Sequence, residues 1–137
     1  MNDNFNIKTE GRGIWFVIHT LAYHATTESA KQSFTVMINQ LSDHFGCDTC
    51  KPDFKKFITD KPLKEYWHQE YGFFKWSWEL HNMVNQKLKK PLYHFDHALL
   101  KYKSFVCQHC DNNIKNAIIE QVSDVNQSDM FNLLSYY

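Results

Sequence analysis

Glycine and proline are scarce in this 137-residue sequence, with 4 and 3 residues respectively. Because tight turns depend on these two residue types, their scarcity argues against a turn-rich β fold. The formal charge is zero at pH 7, which disfavours nucleic acid as the main partner. No apolar run approaches the roughly 20 residues that span a bilayer, and the polar residues 1–10 predict no secretory signal.

What the sequence does contain is four cysteines in two C-x-x-C pairs, Cys47/Cys50 and Cys107/Cys110. Without a secretory signal we expect a reducing, cytoplasmic location, where such pairs are more often redox-active or metal-binding than structural. A thioredoxin-like reductase is disfavoured, because no βαβ pattern surrounds either pair. Paired cysteines also suit zinc, so the cysteines alone leave two hypotheses open: a dithiol–disulfide enzyme, or a zinc-stapled helical binding module with all four as ligands.

Apolar residues recur at helical spacing along most of the chain. The pattern predicts helices over 12–25, 28–45, 73–89 and 94–103, and a further helix from the first cysteine pair to about Asp60. We therefore predict an all-α protein, a four-helix bundle with a short fifth helix. We divide the chain into a polar N-terminal segment (1–10), the bundle domain (11–103) and a C-terminal appendage (104–137) with the second cysteine pair.

The first cysteine pair lies at the start of the third predicted helix. There the exposed N–H groups and the helix dipole favour a thiolate, so the first cysteine becomes a good nucleophile. The second cysteine lies one turn later, close enough to close a disulfide. The arrangement suits dithiol–disulfide exchange.

Two predicted helices combine tryptophan and histidine with polar side chains at helical spacing. These residues are Arg12, Trp15, His19 and Tyr23 on the first helix, and Trp76, His81, Asn82, Asn85, Lys87 and Lys90 on the fourth. Ordinarily such a stripe is a solvated face, and a histidine on an apolar face is a core residue. Two such faces together also suit one large planar ligand with hydrogen-bonding edges, and lysines suit its phosphates.

With these residues the sequence resembles the Erv/ALR family of FAD-linked sulfhydryl oxidases. Three stretches carry the resemblance, in the family's order: 11–22 (GRGIWFVIHTLA), 47–54 (CDTCKPDF) and 81–91 (HNMVNQKLKKP). The resemblance implies a bundle that holds FAD, and usually a homodimer. It also implies an enzyme that forms disulfides in thiol-bearing proteins and passes the electrons to dioxygen, giving hydrogen peroxide.

The resemblance also implies roles for individual residues. Contacts with FAD are expected from Arg12, Trp15, His19, Tyr23, His81, Asn82 and Asn85, contacts with its phosphates or ribose from Lys87 and Lys90, and packing beside a ring system from Trp76. Cys50 is expected against the isoalloxazine as the charge-transfer thiolate, while Cys47 takes the incoming thiol. Many members carry a second pair that shuttles electrons, so Cys107 and Cys110 are either a shuttle or a structural disulfide.

The sequence departs from the family pattern at three places. Phe45-Gly46 replaces the common Tyr-Pro before the active pair, which predicts a looser approach to Cys47. Lys89 stands where glycine is usual. The widely spaced structural cysteine pair of many cellular members is missing, as in compact members from large DNA viruses. We therefore expect a viral protein, located in the cytoplasm, a viral factory or the virion.

Overall fold

The computed structural model describes residues 10–106, which form five α-helices and one short 3-10 helix and contain no strand. The α-helices are α1 (Glu10–His24), α2 (Glu28–His44), α3 (Lys51–Asp60), α4 (Gly72–Lys87) and α5 (Phe95–Val106). The 3-10 helix, Leu63–Tyr66, connects α3 to α4. The all-helical prediction is confirmed, and each predicted helix corresponds to one α-helix of the structure.

Local sequence signals set the starts of α2 and α3. Thr27 caps α2, because its side-chain oxygen accepts a hydrogen bond from the Ala30 N–H at 3.2 Å. Cys50 occupies the same position before α3, and Pro52 follows in the first turn, where its missing N–H costs little. The helix was predicted to start at the cysteine pair and to activate the first cysteine. The structure instead places Cys50 at the N-cap of α3, while Cys47 lies three residues earlier and outside the helix.

α1 and α4 run antiparallel and form the centre of the bundle. Trp15 stacks on His81, His19 contacts Ser77, and Tyr23 contacts Phe74, so the two helices advance in opposite directions. A main core joins these helices to α2 and α3 through buried apolar side chains. They include Ile18 and Ala22 of α1, Phe34 and Ile38 of α2, Phe54 and Phe57 of α3, and Phe73, Trp76 and Leu80 of α4. Burial of each large side chain contributes about 1.5–3 kcal/mol.

A second, smaller core holds α5 against α4. It consists of Phe74 of α4, Tyr93 of the preceding segment, and Ala98 and Tyr102 of α5. Ala98 and Tyr102 are spaced by one helical turn and lie on the same face of α5. This second core brings α5 to the same end of α4 that contacts His19.

The turn before α4 depends on glycine for reasons of space. Tyr71 is in the left-handed conformation (φ 50°), and a Cβ at Gly72 would stand 2.0 Å from the backbone oxygen of Tyr66. Only glycine fits so close an approach. Among residues 10–106, no helix combines the length and apolar character needed to cross a membrane.

Candidate functional site

The antiparallel helices α1 and α4 bring two histidines into contact in the interior. His19 Nε2 lies 2.8 Å from His81 Nδ1, and the side chains are 0% and 3% exposed. Burial lowers the pKa of His19 well below its usual value, and the neighbouring His81 and Lys101 add to the effect. Burial, with Lys90 and Lys101 nearby, lowers the pKa of His81 to about 3. Both imidazoles are therefore neutral at neutral pH.

Trp15 and Ser77 complete this group, which we call the Trp–His cluster: Trp15, His19, Ser77 and His81. The indole of Trp15 stacks on the His81 ring with centroids 3.9 Å apart and planes 4° apart. His19 Nδ1 lies 2.8 Å from Ser77 Oγ, and Ser77 Oγ donates to the backbone oxygen of Phe74 at 2.7 Å. The cluster is an uncharged aromatic group that is buried except for the half-buried Trp15, and its histidines and serine are joined by hydrogen bonds.

Two residues beside the cluster, Lys101 and Tyr102, were not among the predicted site residues. The Tyr102 ring centroid is 5.1 Å from that of His19, and Tyr102 is 2% exposed. Lys101 is half-buried, and this burial lowers its pKa to about 8. The spacing of Ala98, Lys101 and Tyr102 at i, i+3 and i+4 could have placed them on the inner face of α5.

The two asparagines predicted as ligands, Asn82 and Asn85, lie in different environments on α4. Asn82 Nδ2 donates to the backbone oxygen of Tyr93 at 2.9 Å, and Asn82 Oδ1 accepts from the Tyr93 N–H at 3.0 Å. Asn82 thereby fastens the segment before α5 onto α4. Asn85 is 5% exposed and lies one turn after His81 on the same face. Contacts of both amides with a cofactor stay predictions.

The remaining predicted ligands occupy distinct places. Trp76 is fully buried in the main core, where its indole N–H donates to the Lys61 backbone oxygen at 2.7 Å. Tyr23 is half-buried and stacks near Tyr71, whereas Arg12 is exposed near the start of α1. The roles predicted for these side chains in binding stay predictions.

The first cysteine pair is oxidised, with a disulfide between Cys47 and Cys50. Both residues are half-buried, and Cys50 directly precedes the N-terminus of α3. The Thr49 hydroxyl lies 3.3 Å from Cys47 Sγ. Reduction would place the Cys50 thiolate at the positive end of the α3 dipole and the Cys47 sulfur beside a hydroxyl donor.

α4 connects the disulfide to the Trp–His cluster. Lys87 in the last turn of α4 forms an ion pair with Asp53, three residues after Cys50. His81 lies six residues before Lys87, which corresponds to about 9 Å along a helix. Lys90 follows α4 and is close enough to His81 to lower its pKa. α4 thus carries Ser77 and His81 of the cluster, and its last turn contacts the first turn of α3, which follows the redox pair.

The disulfide argues against the zinc hypothesis, because an oxidised pair offers no thiolate to a metal. Among residues 10–106, no three His, Cys, Asp or Glu side chains converge as a metal site. The other two proposed ligands, Cys107 and Cys110, lie outside the residues that the structure describes. The zinc-stapled module is therefore not favoured.

Comparison with known proteins gives one consistent result. The family model for the Erv1 / Alr family matches residues 12–103. The chain is 33% identical over 89 residues to the mitochondrial FAD-linked sulfhydryl oxidase ERV1 of Saccharomyces cerevisiae, covering 63% of this chain and 46% of the yeast protein. It is 26% identical over 114 residues to the FAD-linked sulfhydryl oxidase ERV1 of Oryza sativa subsp. japonica, covering 80% and 58%. The chain thus spans about half the length of these curated relatives.

The fold is similar to that of a solved structure. The crystal structure of the yeast Erv1 core matches with a TM-score of 0.63 and 26% sequence identity. The match covers 74% of this chain and 86% of the yeast chain. The bundle observed in residues 10–106 is therefore the fold of that core.

Proposed function

The chain belongs to the Erv1/Alr family, and on this premise we propose that it is an FAD-dependent thiol oxidase that forms disulfides in protein substrates. The observation that carries the proposal is the position of the Cys47–Cys50 disulfide. α3, which begins at this disulfide, is tied by the Asp53–Lys87 ion pair to the helix that bears the Trp–His cluster. The helix that follows the redox pair is therefore in contact with α4, which together with α1 carries the Trp–His cluster.

The side chains at the site fit FAD in their chemistry. Stacked Trp15 and His81 offer flat faces and hydrogen-bonding edges to a ring system or to hydroxyl groups. Lys90 and Lys101 supply positive charge. Burial disfavours the charged form of Lys101 and lowers its pKa to about 8, and a phosphate beside it would counter this effect. The full proposed set is Arg12, Trp15, His19, Tyr23, Trp76, His81, Asn82, Asn85, Lys87 and Lys90, to which we add Lys101 and Tyr102.

The protein's part of the reaction is thiol–disulfide exchange. A substrate thiolate attacks Cys47 Sγ, the Cys47–Cys50 bond breaks, and Cys50 leaves as a thiolate at the N-terminus of α3. A second substrate thiolate attacks the substrate sulfur of the mixed disulfide, and Cys47 leaves. The substrate has then lost two electrons, which the cysteine pair holds. The Thr49 hydroxyl, 3.3 Å from Cys47 Sγ, stabilises Cys47 as the leaving thiolate.

When bound, FAD supplies the two-electron acceptor for the reduced pair, and we propose dioxygen as the final acceptor, with hydrogen peroxide as product. Within the pair, we propose that Cys50 faces the isoalloxazine and that Cys47 meets the substrate. The location of Cys50 at the helix N-terminus supports this division, because a thiolate is most stable there. We also propose a cytoplasmic location and a viral origin, as the sequence analysis predicts.

We propose that the chain is a homodimer. Phe16, Val17 and Leu21 are 48%, 48% and 44% exposed on α1, and Val36 is 61% exposed on α2. Val17 and Leu21 are spaced by one helical turn and share a face of α1, and exposed apolar side chains of this kind are typical of a protein interface. Light scattering on the purified protein measures its mass. A dimer that becomes a monomer in Leu21→Glu supports the proposal, and a monomeric wild type contradicts it.

Purification of the recombinant chain tests the enzymatic proposal. We expect a yellow protein that releases one FAD per chain on denaturation, consumes oxygen with a small dithiol and produces peroxide. Cys47→Ser/Cys50→Ser is the control, which is expected to keep FAD and lose oxygen consumption. A colourless protein that contains zinc would contradict the proposal and favour the zinc module.

A further inference from the structure

Ser77 forms the end of a buried hydrogen-bond chain whose proton positions follow from its geometry. Ser77 Oγ is 2.7 Å from the Phe74 backbone oxygen and 2.8 Å from His19 Nδ1. A carbonyl oxygen only accepts, so the single hydroxyl proton goes to Phe74 and Ser77 Oγ must accept from His19. The reverse assignment would leave two oxygen atoms 2.7 Å apart without a proton between them.

The same reasoning continues from His19 to His81. A neutral imidazole carries one proton, so His19 with a proton on Nδ1 accepts at Nε2. His19 Nε2 is 2.8 Å from His81 Nδ1, and therefore His81 donates from Nδ1. The proton of His81 is then on Nδ1, and its Nε2 is the accepting nitrogen. Trp15, stacked on His81 with ring planes 4° apart, holds this ring in place.

We propose that Ser77 is a positioning residue that fixes the tautomers of both histidines, so that His81 Nε2 can only accept a hydrogen bond. The inference rests on the proposed function. Because Nδ1 of His81 is bonded to His19, any hydrogen bond from His81 to FAD is made through Nε2. The partner on FAD is accordingly a hydroxyl or N–H group and not a phosphate oxygen, while Lys90 and Lys101 supply the charge for phosphates.

Nitrogen chemical shifts of the two histidines in the FAD-loaded protein test the proton positions directly. In the protein labelled with ¹⁵N-histidine, long-range proton–nitrogen correlation spectra distinguish a proton on Nδ1 from one on Nε2. We expect both buried histidines to be protonated on Nδ1, the minor form of imidazole in water. A proton on Nε2 of either histidine in wild type overturns the inference. A wild-type chain without flavin instead overturns the proposed function.

Ser77→Ala tests the positioning role, and Ser42→Ala is its matched control. Ser42 is also buried, and its hydroxyl donates to the backbone oxygen three residues earlier at 2.8 Å, as that of Ser77 does. Ser42 lies on α2, outside the Trp–His cluster. We expect Ser77→Ala to weaken FAD binding about tenfold, the size of one lost hydrogen bond, and to produce mixed tautomers at His19 and His81.

The two variants give clear alternatives. Ser42→Ala is expected to match wild type in FAD affinity and in histidine tautomers. Equal loss of FAD from both variants overturns the inference, because the serine would then act only through its backbone bond. Unchanged tautomers and affinity in Ser77→Ala also overturn it. If Ser77→Ala does not fold, the wild-type spectra alone decide the proton positions.

Discussion

The indole of Trp15 lies parallel to the imidazole of His81, with ring centroids 3.9 Å apart and planes 4° apart. The two residues are on different helices, so this contact fixes the relative position of α1 and α4 where the proposed FAD site begins. We expect Trp15→Leu to reduce FAD affinity up to about tenfold, since aromatic pairs contribute about 0.5–1.5 kcal/mol beyond burial. Equilibrium dialysis against FAD measures the change.

Trp67→Leu is the control for Trp15→Leu. Trp67 is also half-buried, but its indole N–H donates to Glu28 at 3.0 Å, away from the Trp–His cluster. We expect this variant to bind FAD as wild type does. Equal affinity losses in the two variants would indicate a general effect of tryptophan removal and contradict a local role for Trp15.

Single substitutions of the cysteine pair distinguish the roles of Cys47 and Cys50. Both Cys47→Ser and Cys50→Ser are expected to abolish oxidase activity, because neither can form the disulfide. Cys47→Ser leaves a Cys50 thiolate at the N-terminus of α3, and we expect a long-wavelength charge-transfer absorption band with FAD. Cys50→Ser should lack the band. A band in Cys50→Ser and not in Cys47→Ser would reverse the assignment.

The helices were predictable from sequence because their apolar faces repeat over several turns. The connector 63–72 was not, since it depends on the close approach of Gly72 to the Tyr66 backbone oxygen and on the left-handed Tyr71. These are contacts between specific backbone atoms that no periodic pattern encodes.

The candidate site was predictable only in part. Each histidine lay on a face that was predicted to share a planar ligand, which stays a prediction. The direct contact of His19 with His81 was not predicted. Ser77 was missed, although it lies one turn before His81 on α4. Its importance depends on the proximity of His19, 58 residues away in sequence. Asn82 was predicted as a cofactor ligand, and this stays a prediction. Its pairing with the Tyr93 backbone could not be predicted, because it depends on the path of the chain before α5.

The buried histidines predict that the protein is less stable in mild acid. The pKa of His81 falls from 6.5 in the unfolded chain to about 3 in the folded one. Below pH 6.5 the unfolded state therefore binds more protons than the folded state. The free energy of unfolding then decreases as the pH is lowered. At pH 5 the loss from His81 is about 2 kcal/mol, and His19 acts in the same direction. Urea unfolding at pH 7.5 and 5.0 measures this loss, and His81→Gln is expected to reduce it. An identical loss in the variant would contradict the assignment.

Replacement of the second cysteine pair separates its two predicted roles. If Cys107 and Cys110 shuttle electrons, Cys107→Ser/Cys110→Ser oxidises a small dithiol at the wild-type rate and a protein substrate more slowly. If they form a structural disulfide, both rates fall with the folded fraction, and the melting temperature decreases. A lowered melting temperature with an unchanged rate on protein thiols would contradict the shuttle.

Lys89, at the end of α4, predicts a stabilising substitution. Its φ is 55°, in the left-handed region that side chains disfavour. The Lys90 N–H bonds to the Asn85 oxygen at 2.8 Å and the Lys89 N–H to the Gln86 oxygen at 3.1 Å, a pattern that places Lys89 where helix ends favour glycine. Lys89→Gly is therefore expected to raise the free energy of unfolding by about 1 kcal/mol and the melting temperature by a few degrees.

Gln86→Gly, three residues earlier and inside α4, provides the opposite control. Gln86 is exposed and helical, so glycine there only increases the backbone entropy lost on folding. We expect a loss of about 1 kcal/mol from this change. Thermal unfolding of the FAD-loaded proteins, followed by circular dichroism, compares both variants with wild type. A decrease in melting temperature for Lys89→Gly as large as that for Gln86→Gly would show that the left-handed conformation at Lys89 carries no strain that glycine relieves.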